Sequence, residues 1–339
     1  MFTRRATLSG HARKPGALAA APNGEFLVST SDDPTIRIWD ATTWSIRHVI
    51  ADMDPDTRQE ISIFDVSACG KYLATGMADF TTKVYSTQTG ERITRLHPVK
   101  RDYYNVAEQI RFSPVGDYLA CAKGRTIEYF RIGDFAKLGE LKGHTSKAHL
   151  IAISPDGRTL ISCGGKYVKL WDMTTFTERA TLTRHGRLLG SLEVAPDGRF
   201  FATGGEDKQI FVWSLPDGGE LGAYHHHTNF VFDLAISPDG QTIASWDMSQ
   251  TLHLWNVATG TTIACLEKVW GRSKFLPNDN LLIFCGELAG TLVIDPTNGE
   301  ILQRLPASGD VAVAPDGSWF ASIDGNDIAI WSKNATGAG

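Results

Sequence analysis

The chain has 339 residues, of which 42% are hydrophobic, and its formal net charge is −5. This hydrophobic fraction is sufficient for a packed core and excludes disorder over most of the chain. The acidic balance argues against nucleic-acid binding, which needs a basic surface to neutralise phosphates. No run of apolar residues approaches the length that crosses a membrane, so no membrane association is expected.

The cysteines and the first residues bear on the cellular compartment. The odd number of cysteines and the lack of a Cys-x-x-Cys pair predict reduced thiols rather than a disulfide framework or a zinc knuckle. The start of the chain has no apolar run of signal-peptide length. We therefore expect a cytoplasmic protein. The five cysteines are Cys69, Cys121, Cys163, Cys265 and Cys285.

The first predicted element is FTRRATLSG, residues 2–10, which has the character of an outer strand without a local partner. His11 follows it, and then the turn at 22–24 (Pro-Asn-Gly), which lies between β-rich runs. Proline presets φ at the second turn position, and glycine adopts the left-handed conformation that the turn needs. This segment therefore predicts a β-hairpin.

The same arrangement recurs along the chain at intervals of roughly 38 to 46 residues, close to the period of a four-stranded propeller blade. The eight turns begin at Pro22, Ala68, Pro114, Pro155, Pro196, Pro238, Pro277 and Pro315. The β runs that follow them end at Trp39, Tyr85, Phe130, Trp171, Trp213, Trp255, Ile294 and Trp331. In four copies a histidine lies 11 residues before the turn proline: His11, His144, His185 and His227.

These Gly-His, Ser-Pro-Asp-Gly and Trp-Asp elements resemble the WD-repeat β-propeller family over about residues 2 to 332. The resemblance implies an all-β fold with a single closed β-propeller over residues 1–333 and a flexible tail at 334–339. The eight repeat units predict eight four-stranded blades. A seven-bladed ring with one irregular unit outside it is the alternative. The last unit ends in a third strand, residues 327–333. We therefore expect the N-terminal strand to pair with it and close the ring.

The family links a histidine, a Ser or Thr, an aspartate and a tryptophan in a hydrogen-bonded tetrad within a blade. A buried indole N–H, hydroxyl and imidazole each need a partner. The expected members are His11, Ser29, Asp33 and Trp39 in blade 1; His144, Ser162 and Trp171 in blade 4; His185, Thr203, Asp207 and Trp213 in blade 5; and His227, Ser245 and Trp255 in blade 6. Blade 4 has a shortened turn without an aspartate, and Ser249 stands where blade 6 should have one. Blades 2, 3, 7 and 8 have lost most of the set.

The sequence favours no catalytic, cofactor or metal site. A Ser-His-Asp trio recurs at fixed offsets in several blades, which a single active site would not require. The run YHHHTN, residues 224–229, could suggest a metal site, but adjacent histidines cannot all turn to one ion, and His227 belongs to a tetrad. Neither a P-loop nor a dinucleotide-binding glycine motif occurs.

Two insertions depart from the repeat. Residues 51–60 and 98–108 fall before the inner strands of blades 2 and 3, and the second carries Tyr103 and Tyr104. The family topology places both on the top face, with the histidine loops. They are either solvated loops or a raised lip that holds a partner, since long loops in compact domains are often functional.

A second departure is an apolar set around blade 6. The resemblance places Phe230, Phe232 and Met248 on the top face, and the remaining members are Leu188, Trp246 and Trp270. Exposed aromatic and methionine side chains of this kind form a candidate protein-binding patch. The alternative is that Trp246 and Trp270 fold inward to fill blades with poor tetrads.

These observations predict a non-enzymatic scaffold, monomeric unless part of a complex, that binds a protein or peptide on the top face. One alternative is a hydrolase of the lactonase or esterase type with a site in the central channel. That reaction would need inward carboxylates or histidines, and the sequence supplies mainly Glu60, Glu108 and His149 near the rim. A second alternative is a sensor subunit of a larger multi-chain assembly.

Overall fold

The computed structural model describes residues 1–51, 63–76, 81–96, 107–286 and 290–333, with the side chains of 107 and 108 left out. Within these ranges the regular elements are 32 β-strands, arranged as eight antiparallel sheets of four strands. The all-β fold and the eight blades are thus confirmed, and the seven-bladed alternative is wrong. The predicted tail at 334–339 and nearly all of the two insertions lie outside the described residues.

The strands follow one another around the ring, starting with β1 at Phe2–Leu8. Blades 1 and 2 consist of β2 Pro15–Ala20, β3 Phe26–Ser31, β4 Ile36–Asp40, β5 Ile46–Ile50, β6 Ile63–Val66, β7 Tyr72–Gly76, β8 Thr82–Ser86 and β9 Arg92–Arg95. Blades 3 and 4 consist of β10 Ala107–Phe112, β11 Tyr118–Lys123, β12 Thr126–Arg131, β13 Lys137–Lys142, β14 Ala148–Ile153, β15 Thr159–Gly164, β16 Tyr167–Asp172 and β17 Thr177–Leu182.

Blades 5 and 6 consist of β18 Leu189–Val194, β19 Phe200–Gly205, β20 Ile210–Ser214, β21 Glu220–Tyr224, β22 Val231–Ile236, β23 Thr242–Asp247, β24 Thr251–Asn256 and β25 Thr262–Glu267. Blades 7 and 8 consist of β26 Gly271–Phe275, β27 Leu282–Gly286, β28 Gly290–Ile294, β29 Ile301–Leu305, β30 Val311–Val313, β31 Trp319–Asp324 and β32 Asp327–Lys333. In blades 1 to 7 the strands pair in chain order, from the inner strand at the channel to the outer strand.

Blade 8 is completed by the two ends of the chain. Its strand order is β1-β32-β31-β30, so the N-terminal strand is its outer strand, as predicted. The antiparallel register places Phe2 opposite Lys333 and Leu8 opposite Ile328, with an irregularity between Arg4 and Ala6. The ring therefore closes through β-sheet hydrogen bonds between residues about as far apart in sequence as the chain allows.

The Pro-Asp-Gly turns join the inner strand to the second strand of each blade on the face that we call the bottom. Their glycines have φ between +65° and +81°, a region in which a Cβ atom is strained: Gly24, Gly70, Gly116, Gly157, Gly198, Gly240 and Gly317. In blade 7 a left-handed residue also occurs in this turn, Asn280 at φ +54°. The predicted turn chemistry thus recurs around the ring.

The core is divided among the junctions between neighbouring blades. Eight clusters of buried apolar side chains occur, one at each junction. The junction between blades 8 and 1 is filled as well as the others, with Leu8, Leu18 and Trp39 in the same cluster as Trp319 and Ile328. One four-stranded sheet cannot bury both of its faces alone, and the ring gives every face a neighbour.

The described residues contain no helix long and apolar enough to span a membrane. The five cysteines all lie in the described part of the chain, and all are free thiols.

Candidate protein-binding face

The tetrad residues meet in blades 1 and 5 at hydrogen-bonding distance. In blade 5, His185 Nδ1 lies 2.9 Å from Asp207 Oδ2, and His185 Nε2 lies 2.9 Å from Thr203 Oγ1. Trp213 Nε1 donates to the same hydroxyl oxygen at 2.8 Å. Because a carboxylate only accepts, Nδ1 carries the proton and Nε2 accepts from the threonine hydroxyl. Blade 1 repeats this arrangement with its own four residues, His11, Ser29, Asp33 and Trp39.

Blade 4 shows what the missing aspartate leaves behind. His144 Nε2 lies 2.7 Å from Ser162 Oγ, and Trp171 donates to that hydroxyl at 2.8 Å. His144 Nδ1 is buried without a hydrogen-bond partner in the described part of the chain. Burial, followed by the charge of Lys169, lowers the pKa of His144 to about 4. The imidazole of His144 is therefore neutral at physiological pH.

In blade 6 the carboxylate comes from another position than the sequence indicated. Ser249 does not replace it, because Asp247 Oδ2 lies 3.0 Å from His227 Nδ1. Asp247 is the second residue after the tetrad serine, the position that Gly205 holds in blade 5. A Cβ built on Gly205 would lie 3.4 Å from His185 Nδ1, so a side chain there reaches the histidine. The offset that aligned Ser249 with Asp207 therefore missed the aspartate.

Blade 8 contains the serine and the tryptophan of a tetrad, which the sequence analysis did not predict. Trp331 Nε1 donates to Ser322 Oγ at 2.8 Å, and both residues are buried. The guanidinium of Arg4 on strand β1 lies 5.0 Å from the Trp331 ring centre, at cation–π distance. The signal was the Ser-to-Trp spacing of nine residues, which blade 4 shares.

Replacing Trp213 by Phe is expected to lower the free energy of unfolding by about 1 to 3 kcal/mol, since Thr203 loses its buried indole donor. Urea unfolding of the variant beside the wild type measures this difference. Trp270→Phe is the matched control, because this indole is 40% exposed. Its effect should stay within about 0.5 kcal/mol. Equal unfolding midpoints for wild type and Trp213→Phe would contradict a stabilising role for the tetrad.

The apolar set lies at the top face, the end of the blades that carries the tetrad histidines and the turns between second and third strands. Leu188, Phe232, Met248 and Trp270 are each 40% to 45% exposed. Phe230 is half-buried, and its ring packs against Gly190 of blade 5. The two tyrosines predicted on the 98–108 insertion, Tyr103 and Tyr104, lie outside the described residues.

Trp246 folds inward, whereas Trp270 does not. The side chain of Trp246 is 2% exposed, and its Nε1 donates to Val269 O at 2.6 Å. The Trp270 ring packs edge-on against it, with ring centres 4.8 Å apart and an interplanar angle of 79°. The alternative of two inward tryptophans is therefore half correct, because Trp246 is buried and Trp270 remains at the surface.

These side chains enclose a cavity of about 240 Å³ that we call the aromatic pocket, lined by Phe232, Trp246, Met248 and Trp270. Glycines of blade 7 shape its base. Gly271 pairs directly with Gly286 on the neighbouring strand, and a Cβ on Gly286 would collide with the Trp270 carbonyl oxygen. The close approach of these two strands therefore depends on the glycines.

The central channel carries more charge than the sequence reading expected. A cavity of about 590 Å³ at its top is lined by His149 and by charged residues of several inner strands. His149 Nε2 is held at 2.8 Å from Leu189 O. The other two residues predicted for the channel, Glu60 and the Glu108 side chain, lie outside the described part. Among the described residues, the charged side chains that line the channel or its mouths are Asp32, Asp65, Arg111, Glu193, Asp233, Arg272, Lys274 and Asp310.

The expectation that carboxylates would be scarce on the inner strands is therefore wrong. Asp65, Arg111, Glu193 and Lys274 all lie three residues before the turn of their blade, and this register was readable from the repeat. Burial raises the pKa of Glu193, and the charge of Lys274 opposes that shift. Burial likewise raises the pKa of Asp65 against the charge of Arg111. Opposite charges on different blades thus partly neutralise one another inside the ring.

The described residues contain no group of three or more His, Cys, Asp or Glu side chains that could hold a metal ion. The YHHHTN run does not form one, since His227 is occupied by Asp247 and Ser245. Residues 225 and 226, the other two histidines of the run, instead lie near the rings of Phe211 and Tyr224.

The fold and the tetrads define a class of repeat protein, a closed β-propeller in which four of the described blades each contain buried His–Ser/Thr–Trp hydrogen bonds. A family model described as WD domain, G-beta repeat matches residues 2–40, 135–172, 176–214 and 218–256. Each match ends one residue after a tetrad tryptophan. Together with the eight-bladed ring, these four repeats place the chain in the WD-repeat propeller family. No curated protein matches the chain.

Membership of the WD-repeat propeller family gives a general expectation for the function of this chain. Propellers of this family generally bind proteins or peptides and are generally not enzymes. The fold of this chain is consistent with an interaction scaffold.

Proposed function

We propose that this propeller is a non-enzymatic, cytoplasmic scaffold that binds a protein or peptide segment on its top face, with the aromatic pocket as the contact site. The aromatic pocket is the observation that supports this. Aromatic and methionine side chains are enriched at protein interfaces, and anchors seated in pockets contribute much of the binding energy. A cavity of about 240 Å³ has room for side chains of a partner.

The pocket is also preorganised. Trp246 is fixed by its hydrogen bond to Val269 O and packs in the cluster between blades 6 and 7. Phe232 meets this indole edge-on, with ring centres 6.3 Å apart. Because Trp246 and Phe232 are already ordered, a partner side chain that enters the pocket does not have to immobilise them, and the entropic cost of binding is lower.

The propeller could serve this role alone or as the recognition subunit of a larger assembly. In either case the surface that recognises the partner is the same. The identity of the captured partner distinguishes the two.

The test is a pull-down from a native lysate with wild type and Phe232→Ser, after both have been shown to melt at the same temperature. Leu221→Ser is the matched control, because Leu221 is 61% exposed on an outer strand, away from the pocket. We expect the wild type and Leu221→Ser to capture the same protein in similar amounts. We expect Phe232→Ser to lose most of it.

Capture that is equal for all three proteins would contradict the role of the pocket and leave the rest of the top face as the contact site. If none of the proteins captures a partner, the charged channel gives the better proposal, a hydrolase. Assay of the purified protein for a stoichiometric bound metal would then come first, because such hydrolases use a metal or a polar cluster in the channel.

A further inference from the structure

The aromatic pocket is continuous with the mouth of the channel, and a basic side chain stands at the junction. Phe232, Arg272 and Asp310 line both cavities. The side chain of Arg272 is exposed. It makes no hydrogen bond or ion pair with any residue that the structure describes. An apolar cavity and an available guanidinium therefore share one wall.

The alternation of strand β26 explains why the cation is available. Ser273 and Phe275 are buried, while Arg272 and Lys274, on the opposite side of the strand, are exposed. Lys274 likewise makes no hydrogen bond or ion pair within the described ranges. Blade 7 thus presents two basic side chains at the channel, of which Lys274 is attracted to Glu193 and Asp310.

The acidic neighbours of Arg272 are already occupied. Asp233 of blade 6 accepts from Ser273 N at 2.9 Å and from Ser273 Oγ at 2.6 Å. Asp310 of blade 8 accepts from Leu18 N at 2.8 Å. These hydrogen bonds hold both carboxylates to inner strands. Asp310 attracts Arg272 electrostatically but forms no ion pair with it, so the guanidinium N–H groups beside the aromatic pocket remain available to a ligand.

We propose that the occupant of the aromatic pocket is a linear peptide segment in which an apolar side chain lies within two residues of an aspartate or glutamate. The apolar side chain packs among Phe232, Trp246 and Trp270. The carboxylate binds the guanidinium of Arg272, whose planar fork can hold both oxygens at once. This proposal rests on the proposed function and adds the chemistry of the partner.

The overall charge of −5 does not oppose this ligand strongly. At physiological ionic strength, exposed charges more than about 8 Å apart are largely screened, so the groups next to the pocket decide the preference. A basic segment would instead bring its cation beside Arg272 and Lys274. Arg272 is the exposed charged side chain of the aromatic pocket, whereas Asp310 is half-buried and hydrogen-bonded to Leu18 N, so the pocket favours an acidic segment.

The experiment is selection from a library of random 12-residue peptides, fused through their C-termini so that no free α-carboxylate is present. The full chain is used as wild type, Phe232→Ser, Arg272→Glu and Arg125→Glu. Arg125 is an exposed arginine in the turn between the second and third strands of blade 3, on the opposite side of the ring, and is the matched charge control. The best wild-type peptide is then measured against all four proteins by fluorescence polarisation.

We expect the wild type to enrich peptides that pair an apolar residue with Asp or Glu. Their Kd should rise at least tenfold with Arg272→Glu and with Phe232→Ser, and stay within twofold with Arg125→Glu. Changing the acidic residue of the peptide to its amide should weaken binding to the wild type about tenfold. The same change should have little effect on binding to a fifth protein, Arg272→Ala, as a direct contact requires.

Two results would overturn the proposal. Enriched peptides that need Phe232 but carry no acidic residue, or that ignore Arg272, would refute the acidic ligand while leaving the scaffold function intact. A library that yields no Phe232-dependent peptide would refute both the ligand and the binding role of the pocket.

Discussion

Deletion of residues 1–9 is expected to open the ring and leave the protein aggregated. The deletion removes strand β1, which carries Phe2 and Leu8 into the core at 3% and 2% exposure. Burying two such side chains contributes roughly 2 kcal/mol each, and the strand hydrogen bonds add to this. The loss is then on the order of 5 kcal/mol, comparable with the whole stability of an ordinary domain. The freed edge of β32 would also be available to pair with other chains.

Thermal unfolding and light scattering of the truncated protein measure this effect. A circular permutant that starts at Gly10 and carries residues 1–9 after Gly339 is the control. The register makes it feasible, because Phe2 lies opposite Lys333, and a chain that turns back after β32 can continue into β1. We expect the permutant to recover most of the lost stability. A truncated protein that stays soluble and melts like the wild type would show that β1 is dispensable for closure.

Asp247→Ala is expected to lower the free energy of unfolding by about 3 to 5 kcal/mol, because several buried donors lose their acceptor at about 1 to 3 kcal/mol each. Asp247 and His227 are both fully buried, at 0% side-chain exposure. The carboxylate also accepts from Ser249 N at 2.9 Å and from Thr251 Oγ1 at 2.7 Å. Removing it leaves these donors and the histidine Nδ1 without an acceptor.

Asp247 is ionised in the folded protein at neutral pH. Burial by itself would raise the pKa of this carboxyl, but hydrogen bonds from Thr251 and His227 outweigh burial and leave the pKa below its ordinary value. Burial lowers the pKa of His227 to about 4, so at neutral pH the pair is a carboxylate and a neutral imidazole. The hydrogen bond from His227 Nδ1 to Asp247 Oδ2 is therefore strengthened by the negative charge of the carboxylate.

Urea unfolding at pH 7 compares Asp247→Ala with Asp239→Ala in the same blade. Asp239 is exposed in the bottom turn, where it accepts from Ser237 Oγ at 2.6 Å, from Gln241 N at 2.9 Å and from Asn280 Nδ2 at 3.0 Å. Its removal should cost about 1 to 2 kcal/mol, less than for Asp247, because water can replace an exposed acceptor. Equal losses for the two variants would mean that the carboxylate beside His227 has no special role in blade 6.

The sequence was sufficient for the architecture because the architecture depends on local chemistry that repeats. Each left-handed glycine and each histidine 11 residues before a turn signals its own blade. Eight copies gave eight blades. The closure of the ring followed because the last unit lacked one strand and the N-terminus supplied a spare one, which the β1–β32 pairing confirms.

Sequence spacing does not locate a side chain where residues at different positions in the sequence can reach the same point in space. Asp247 was missed because a fixed offset from the histidine selects Ser249, although a side chain two residues earlier points at the same imidazole. The Ser322–Trp331 pair was missed because blade 8 has no histidine to signal it. The charged channel, by contrast, could have been predicted from residues three positions before each turn.

What the sequence by itself determined is therefore the number of blades, their order and the seam that closes them, because each rests on contacts within one repeat or between chain ends. What only the tertiary structure decided is which side chains the top face offers. Trp246, on the second strand of blade 6, and Trp270, just before the first strand of blade 7, have the same chemistry. One is buried because its indole reaches Val269 O, in the segment that leads into blade 7. Such contacts between blades depend on how neighbouring sheets pack, which no local pattern specifies.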